Sequence, residues 1–238
     1  MNGLGKVQSL QSFSTFDGPG TRCVVFLQGC PVGCIFCHNP DSWPADAGEE
    51  LAMEILLRRL ERFRPFLRQP GLTISGGEPL WQPDFTLELI GRAKSSGWHV
   101  ALDTSGWGAP PIFAKVAGQA DLVICSIKHP LVPEQLTANY DRESVLANLR
   151  SLARLGVPLW LRYVLIPGWT DQTEALRAIG RLRGDLSNLE RLELLPFNGL
   201  AEAKWRKLAK TSPLFNGGTV PRVTEAQLRQ AEQEIFGQ

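Results

Sequence analysis

The sequence predicts an α/β protein, a partial (β/α)6 barrel, on three observations. Short apolar runs alternate with longer amphipathic ones, the pattern of βα units that build a parallel sheet. Six such units can be counted along the chain. The chain has 238 residues, slightly fewer than the roughly 250 of a closed eight-unit barrel. A single domain over residues 1–238 is expected, with a barrel core at about 20–200 and a C-terminal extension over 201–238.

The elements follow in order. Cys23–Gln28 is an apolar strand that runs straight into a cysteine-rich loop. Leu51–Arg68 reads as the first helix, because Leu51, Ile55, Leu56, Leu60 and Phe63 recur at helical spacing with charges between them. Further strands are expected at Leu72–Ser75, His99–Asp103, Leu122–Lys128, Leu159–Leu165 and Leu189–Leu195. Helices are expected at Asp84–Ser96, Pro111–Ala117, Glu143–Leu155 and Glu174–Arg183. Thr224–Phe236 reads as a capped terminal helix, and Pro213–Pro221, with Asn216-Gly217-Gly218, as a mobile linker.

Composition narrows the function. Lys and Arg number 25 against 24 Asp and Glu, so neither a nucleic-acid surface nor a polybasic membrane patch is expected. The seven tryptophans form no regularly spaced stacking array for single-stranded nucleic acid. The opening M-N-G-L-G-K-V-Q-S-L lacks the apolar run of a signal peptide, and no later run is long enough to span a bilayer. A cytoplasmic protein is the expectation. In that reducing compartment, clustered cysteines are more often metal-binding or catalytic than disulfide-bonded. Cys23 and Cys125, each inside an apolar run, read as small buried hydrophobes. His99 and His129 read as ordinary loop or core histidines.

Cys30, Cys34 and Cys37 carry the chemistry. They follow the first strand at a C-x3-C-x2-C spacing in Q-G-C-P-V-G-C-I-F-C-H-N-P, Gln28–Pro40. Three thiolates this close need a shared partner. A closed zinc site takes four ligands, and no fourth cysteine lies nearby. A [4Fe–4S] cluster held by three leaves one iron open for another ligand. A zinc knuckle or a disulfide pair is the alternative. In such barrels chemistry collects at the carboxyl ends of the strands. Gly76-Gly77-Glu78 follows the second expected strand, Asp103 and Thr104 end the third, Lys128 ends the fourth, and Arg162 lies late in the fifth. Period-two alternation puts Ile124, Ser126 and Lys128 on one face.

These motifs extend beyond the loop. F-D-G-P-G-T-R at 16–22, I-S-G-G-E-P at 74–79, L-D-T-S-G at 102–106, W-L-R-Y-V-L-I-P-G-W-T-D at 160–171 and E-L-L-P-F at 193–197 follow one another in order. Together with the cysteine loop they resemble the pyruvate formate-lyase activating enzymes, of the radical S-adenosylmethionine (SAM) type. The resemblance implies a TIM-like barrel, a [4Fe–4S] cluster on Cys30, Cys34 and Cys37, and SAM bound to the open iron. It also implies the activity: an oxidoreductase that cleaves SAM reductively and sets a glycyl radical on pyruvate formate-lyase. A flavodoxin or ferredoxin would supply the electron, and a monomer is expected. Because Cys37 to Gly76 contains no further cysteine, one cluster only is expected.

The same resemblance distributes the SAM contacts. Phe36, Cys37 and His38 would meet the adenine. Gly76, Gly77 and Glu78 would meet the amino group, the glycines because they let backbone approach without a side chain. Lys128 and Arg162 would face the anionic side, Arg162 as a guanidinium fork for a carboxylate. D-G-P-G alone is a turn; the resemblance makes Asp17 a contact for the partner's glycine loop. Two positions depart from the family pattern. Ser126-Ile127-Lys128 stands where the family has D-x-K, whose aspartate helps hold a monovalent cation beside SAM. With Asp103 and Thr104 remaining but that carboxylate gone, such a cation should bind more weakly. Asn198 replaces a histidine associated with SAM contact, and it can hydrogen-bond but carries no charge near neutral pH. Two other functions remain open: the same chemistry on a different glycyl radical enzyme or a small molecule, and a non-catalytic iron–sulfur or zinc-binding protein.

Overall fold

The computed structural model describes residues 3–215 and 220–237. Eight strands form one sheet in the order β3-β1-β2-β4-β5-β6-β7-β8. They are β1 (Leu4–Ser14), β2 (Arg22–Leu27), β3 (Glu49–Ala52), β4 (Gly71–Gly76), β5 (His99–Thr104), β6 (Leu122–Ile127), β7 (Leu159–Leu165) and β8 (Leu189–Pro196). From β2 through β8 all pairings are parallel, while β1 lies antiparallel to β2 and β3 antiparallel to β1. Strands β3 and β8 are the two edges of the sheet. The result is the expected six-unit barrel, left open and widened at one edge by an antiparallel pair.

Each of the six expected strands is present to within one residue at either end. Helices α1 (Met53–Glu61), α2 (Pro83–Ser95), α3 (Pro110–Ala117), α4 (Arg142–Leu155) and α5 (Thr173–Asp185) connect them. The first is half the expected length. Its opening residues Leu51 and Ala52 pair with β1 as part of β3. Pro65, which cannot donate a helical hydrogen bond, turns the end into a 3-10 turn at Arg64–Phe66. Helix α4 starts at Asp141, whose side chain accepts from the Glu143 amide, and stops at Gly156 with φ 66°, a left-handed conformation suited to glycine. Helices α6 (Glu202–Lys207) and α7 (Glu225–Phe236) follow β8, and Thr224 caps α7 with a reciprocal Gln227 bond. Of the expected linker, residues 216–219 lie outside the described residues.

Two cores result from the alternation of strand side chains. The larger fills the space between the sheet and the helices, with Ile74, Leu102, Cys125, Ile127, Leu161 and Tyr163 from the strands. Both Cys23 and Cys125 are fully buried. A smaller group inside the barrel, Ala101, Leu122 and Ile124, packs against Trp160. Among the described residues, no helix is long and apolar enough to cross a membrane.

Arg22 closes the base of the barrel. It is 1% exposed, and its guanidinium donates to Thr73 Oγ1 at 2.8 Å, Leu72 O at 2.6 Å, His99 O at 2.9 Å and Pro19 O at 3.2 Å. Burial lowers its pKa to about 10, with Asp121 and Asp17 opposing the fall, so it stays charged at neutral pH. Thr73 Oγ1 in turn donates to Asp17 O at 2.6 Å. These bonds hold the D-G-P-G turn against the inner face of the barrel. Arg22→Met should leave several of these acceptors unpaired and cost about 3 kcal/mol, read as a lower urea midpoint with little change in slope.

Candidate active site over the cysteine loop

The cysteine loop leaves β2 at its carboxyl end and is fastened to itself and to its neighbours. Gly29 N donates to Ser42 O at 2.7 Å and Cys30 N to Trp43 O at 3.2 Å. The β4 loop joins it from the side, where Gly77 N donates to Leu27 O at 2.8 Å and Glu78 N to Gly29 O at 2.9 Å. A Cβ on Gly76 would sit 2.2 Å from Leu27 N, and one on Gly77 would sit 2.2 Å from Gly29 O. The paired glycines thus serve the close approach of two protein loops, where the sequence suggested an approach to ligand. Ile35 N donates to Leu136 O at 2.9 Å, and Ala138 N to Val32 O at 2.9 Å, which tie the loop to the segment after β6.

The C-terminal extension lies over this loop. Trp205 Nε1 donates to Cys37 O at 2.8 Å and Ser212 Oγ to Ile35 O at 2.6 Å. Trp205, Leu214 and Phe215 form a second core with Val32, Cys34 and Phe36. Two donors reach the third cysteine itself: Asn39 N and Trp43 Nε1, each 3.3 Å from Cys37 Sγ. Trp43 and Trp205 meet edge-on with centroids 5.3 Å apart. None of Trp43, Trp205 and Ser212 was singled out by the sequence reading; the contacts of Trp205 and Ser212 come from far along the chain, and that of Trp43, six residues from Cys37, depends on how the loop folds back.

All three cysteines line one cavity of about 750 Å³. Phe36, His38, Gly76, Gly77, Glu78, Asp103, Thr104, Ser126, Lys128 and Asn198 line it too. Three expected site residues are not among its walls. Ile127 is buried in the outer core, as its odd place in the alternation requires. Arg162 lies deeper in the barrel, and Asp17 is held in the turn below, where Ser14 Oγ donates to its carboxylate.

Arg162 is committed to protein partners. Its Nε donates to Glu193 Oε2 at 2.6 Å, its Nη1 lies 3.7 Å from Asp103 Oδ2, and its Nη2 donates to Phe16 O. Burial opposes its charge, but Asp103 and Glu193 raise its pKa above the ordinary value. Ser75 Oγ donates to Asp103 Oδ2 at 3.0 Å. Burial raises the Asp103 pKa against the pull of Arg162 and Ser75. Glu78 is likewise engaged. Oε1 accepts from Thr104 Oγ1 at 2.7 Å and Leu80 N at 3.2 Å, and Oε2 accepts from Ser105 N at 2.9 Å and Ser105 Oγ at 2.6 Å. It therefore brackets the β4 and β5 loops from the cavity wall. Lys128 is the cation that faces the thiols: burial lowers its pKa, but Cys34 and Asp103 carry it above the ordinary value. Its Nζ lies 5.9 Å from the Phe36 ring. Asn198 sits on the exposed rim, its Oδ1 accepting from Leu200 N at 3.1 Å.

The thiols fit an iron–sulfur cluster. Burial pushes Cys30 and Cys34 up to about 12 and raises Cys37 as well, so bare thiolates are disfavoured and a bound metal would stabilise them. Two N–H groups already point at Cys37 Sγ, as donors do at cluster sulfurs. The buried Tyr140 hydroxyl has no partner within the described residues. Among those residues, no three His, Cys, Asp or Glu side chains converge on a single ion.

A family model described as the radical SAM superfamily matches residues 24–179, and a radical SAM domain is the class that this open barrel and cysteine loop define. The chain is 37% identical over 210 residues to a pyruvate formate-lyase-activating enzyme of Clostridium pasteurianum, covering 86% of this chain and 87% of the relative. It is 38% identical over 221 residues to the enzyme of that name from Streptococcus mutans, covering 88% and 84%. The chain belongs to the pyruvate formate-lyase-activating enzyme family. The fold is also seen in a radical SAM methyltransferase from Sphaerobacter thermophilus, at 18% identity and a TM-score of 0.63, over 91% of this chain and 64% of that one.

Trp205→Ala should remove both the donor to Cys37 O and the centre of the second core. We expect a loss of about 3–5 kcal/mol and a lower iron-to-protein ratio after anaerobic reconstitution, measured by denaturation and iron analysis.

Proposed function

We propose that this chain activates pyruvate formate-lyase by generating a glycyl radical on it. The carrying observation is the cavity in which the three thiols, Lys128 and the S-G-G-E loop face one another. When bound, a [4Fe–4S] cluster with SAM supplies a one-electron cleavage that gives methionine and a 5′-deoxyadenosyl radical able to take a glycine Cα hydrogen. The protein's own share is orientation and exclusion of water. Cys30, Cys34 and Cys37 would hold the cluster. Lys128, deep in the cavity and charged, would meet the carboxylate of SAM, with Gly77 and the adjoining backbone at its amino group. Phe36 and His38 offer an apolar wall for the adenine, and burial keeps His38 below its ordinary pKa. Arg162 acts through Asp103, fixing that carboxylate at the cavity floor.

Phe16, 85% exposed, and Leu200, 85% exposed, stand at the cavity's rim beside Asn198 and suit the entry of a partner's loop. Asp17 lies behind Phe16 and would act by shaping that entrance. A one-electron donor of the flavodoxin or ferredoxin kind, a cytoplasmic setting and a monomeric state complete the reading. The test is anaerobic. The reconstituted protein, given dithionite and SAM, should release 5′-deoxyadenosine, and Cys34→Ala should release none. With pyruvate formate-lyase present, a glycyl doublet should appear in electron paramagnetic resonance. Full cluster loading without SAM cleavage would defeat the reading; cleavage without a doublet would redirect it to another substrate.

The monovalent cation is a separate question. Asp103 already has Ser75 and Arg162 as partners, and Ser126 offers a hydroxyl where a second carboxylate would draw a cation. We infer weak cation binding here. Ser126→Asp should make SAM affinity depend on potassium several-fold more steeply than in the parent protein, measured by titrating SAM into loaded protein with and without potassium.

A further inference from the structure

A one-electron carrier that docks away from the cavity mouth leaves that mouth to the protein substrate. The surroundings of Cys37 show a second way in. Its sulfur accepts from Trp43 Nε1 at 3.3 Å, Trp205 packs edge-on against Trp43, and Lys210 Nζ lies 4.8 Å from the centre of the Trp43 ring. Trp205 belongs to α6, whose outer side carries Lys204, Arg206 and Lys207. Lys204 pairs with Asp41 at 3.4 Å and Arg206 with Glu202 at 2.7 Å. Lys207 is exposed. Neither Lys207 nor Lys210 takes part in an ion pair among the described residues. Four cations against two acids leave this face net positive, directly over the loop of the third thiol. Cys34, by contrast, is only 7% exposed.

We propose that the basic outer side of α6, with Lys210, is the docking face for an acidic one-electron carrier protein that reduces the cluster from the Cys37 side. The inference rests on the function proposed above. The carrier loses one electron and the bound cluster gains it; no atom or proton is exchanged. Charge complementarity would speed encounter and set orientation, while the Trp43 and Trp205 rings fill the space between the docked carrier and Cys37 with packed protein. A second basic stretch, Arg58 to Arg68 around α1, lies before β4 at the opposite end of the barrel. It provides the control.

The experiment mixes loaded protein anaerobically with chemically reduced flavodoxin, an acidic probe, and follows cluster absorbance by stopped flow. Dithionite serves as the parallel small-molecule reductant. Arg206→Glu with Lys207→Glu should lower the second-order rate constant with flavodoxin about tenfold or more and flatten its salt dependence. The same variant should be reduced normally by dithionite, which shows that the site is intact. Arg62→Glu with Arg68→Glu, an equal charge change at the other end, should leave both rates alone. An unchanged flavodoxin rate in the α6 variant overturns the proposal, and so does an equal loss in the control or with dithionite. Failure of the underlying function reads out separately, as absent 5′-deoxyadenosine from the wild type with dithionite.

Discussion

Three thiols around one cavity, Cys34 buried and Cys30 and Cys37 half-buried, are the constraint on which the rest of this structure depends. Removing them from water makes their ionised forms costly, and burial raises all three. A site that is to bind metal must therefore be rigid enough to present the sulfurs together without relying on their charge. The chain meets this by clamping the loop on separate sides. The β4 loop holds Gly29 through Glu78 N, the segment after β6 holds Val32 and Ile35, and the C-terminal extension holds Ile35 and Cys37. Each clamp uses backbone groups of the loop, so the cysteine side chains stay available. The glycines at 76 and 77 follow from the same constraint, since a Cβ at either would force the loops apart.

A second layer sits beneath the cavity, inside the barrel. Ser75, Asp103, Arg162 and Glu193 form a polar chain across β4, β5, β7 and β8. Parallel register places Arg162 beside Glu193. Inward-facing positions in a small barrel are normally filled by apolar side chains; here Ala101, Leu122 and Ile124 do so, and the charged layer stands alongside them. Among the described residues no carboxylate forms an ion pair with Lys128, while the charge of Asp103 nearby helps to hold its pKa up. That is what an anionic ligand requires: a cation stabilised by its surroundings yet not consumed by them.

The parallel barrel was legible because each βα unit carries its own local signal, an apolar run followed by an amphipathic one. The strand pair at the edge was not. In β1, Lys6, Gln8, Ser9 and Gln11 break up the apolar positions, and Phe13 adopts a left-handed φ of 62° that no propensity suggests. The last two of the four residues of β3, Leu51 and Ala52, merged with the helical pattern that follows them. Within the site, the cysteines were visible as spacing, and the other cavity-lining motifs through the family resemblance and their place at strand ends. The partners of Arg162 and Glu78 were not, because residues such as Glu193 and Ser105 are ordinary in sequence and become specific only through register. Trp205 was hidden for a related reason: a distance of over a hundred residues separates its ring from the carbonyl it caps.

The two departures from the family pattern fall in different places, and their positions limit what they can alter. Ser126 lines the cavity on the inner face of β6, beside Lys128 and across from Arg162 in register. A change there alters the polar wall of the cavity beside Lys128. Asn198 stands at the exposed rim, with its amide oxygen committed to the following turn, so a change there acts on the entrance. Among the described residues, neither side chain hydrogen-bonds a cysteine, and the contact of Asn198 with the loop is a backbone bond to His38. The ability to hold a cluster is thus structurally separate from the features that choose what enters the cavity, and a chain can keep the first intact while the second varies.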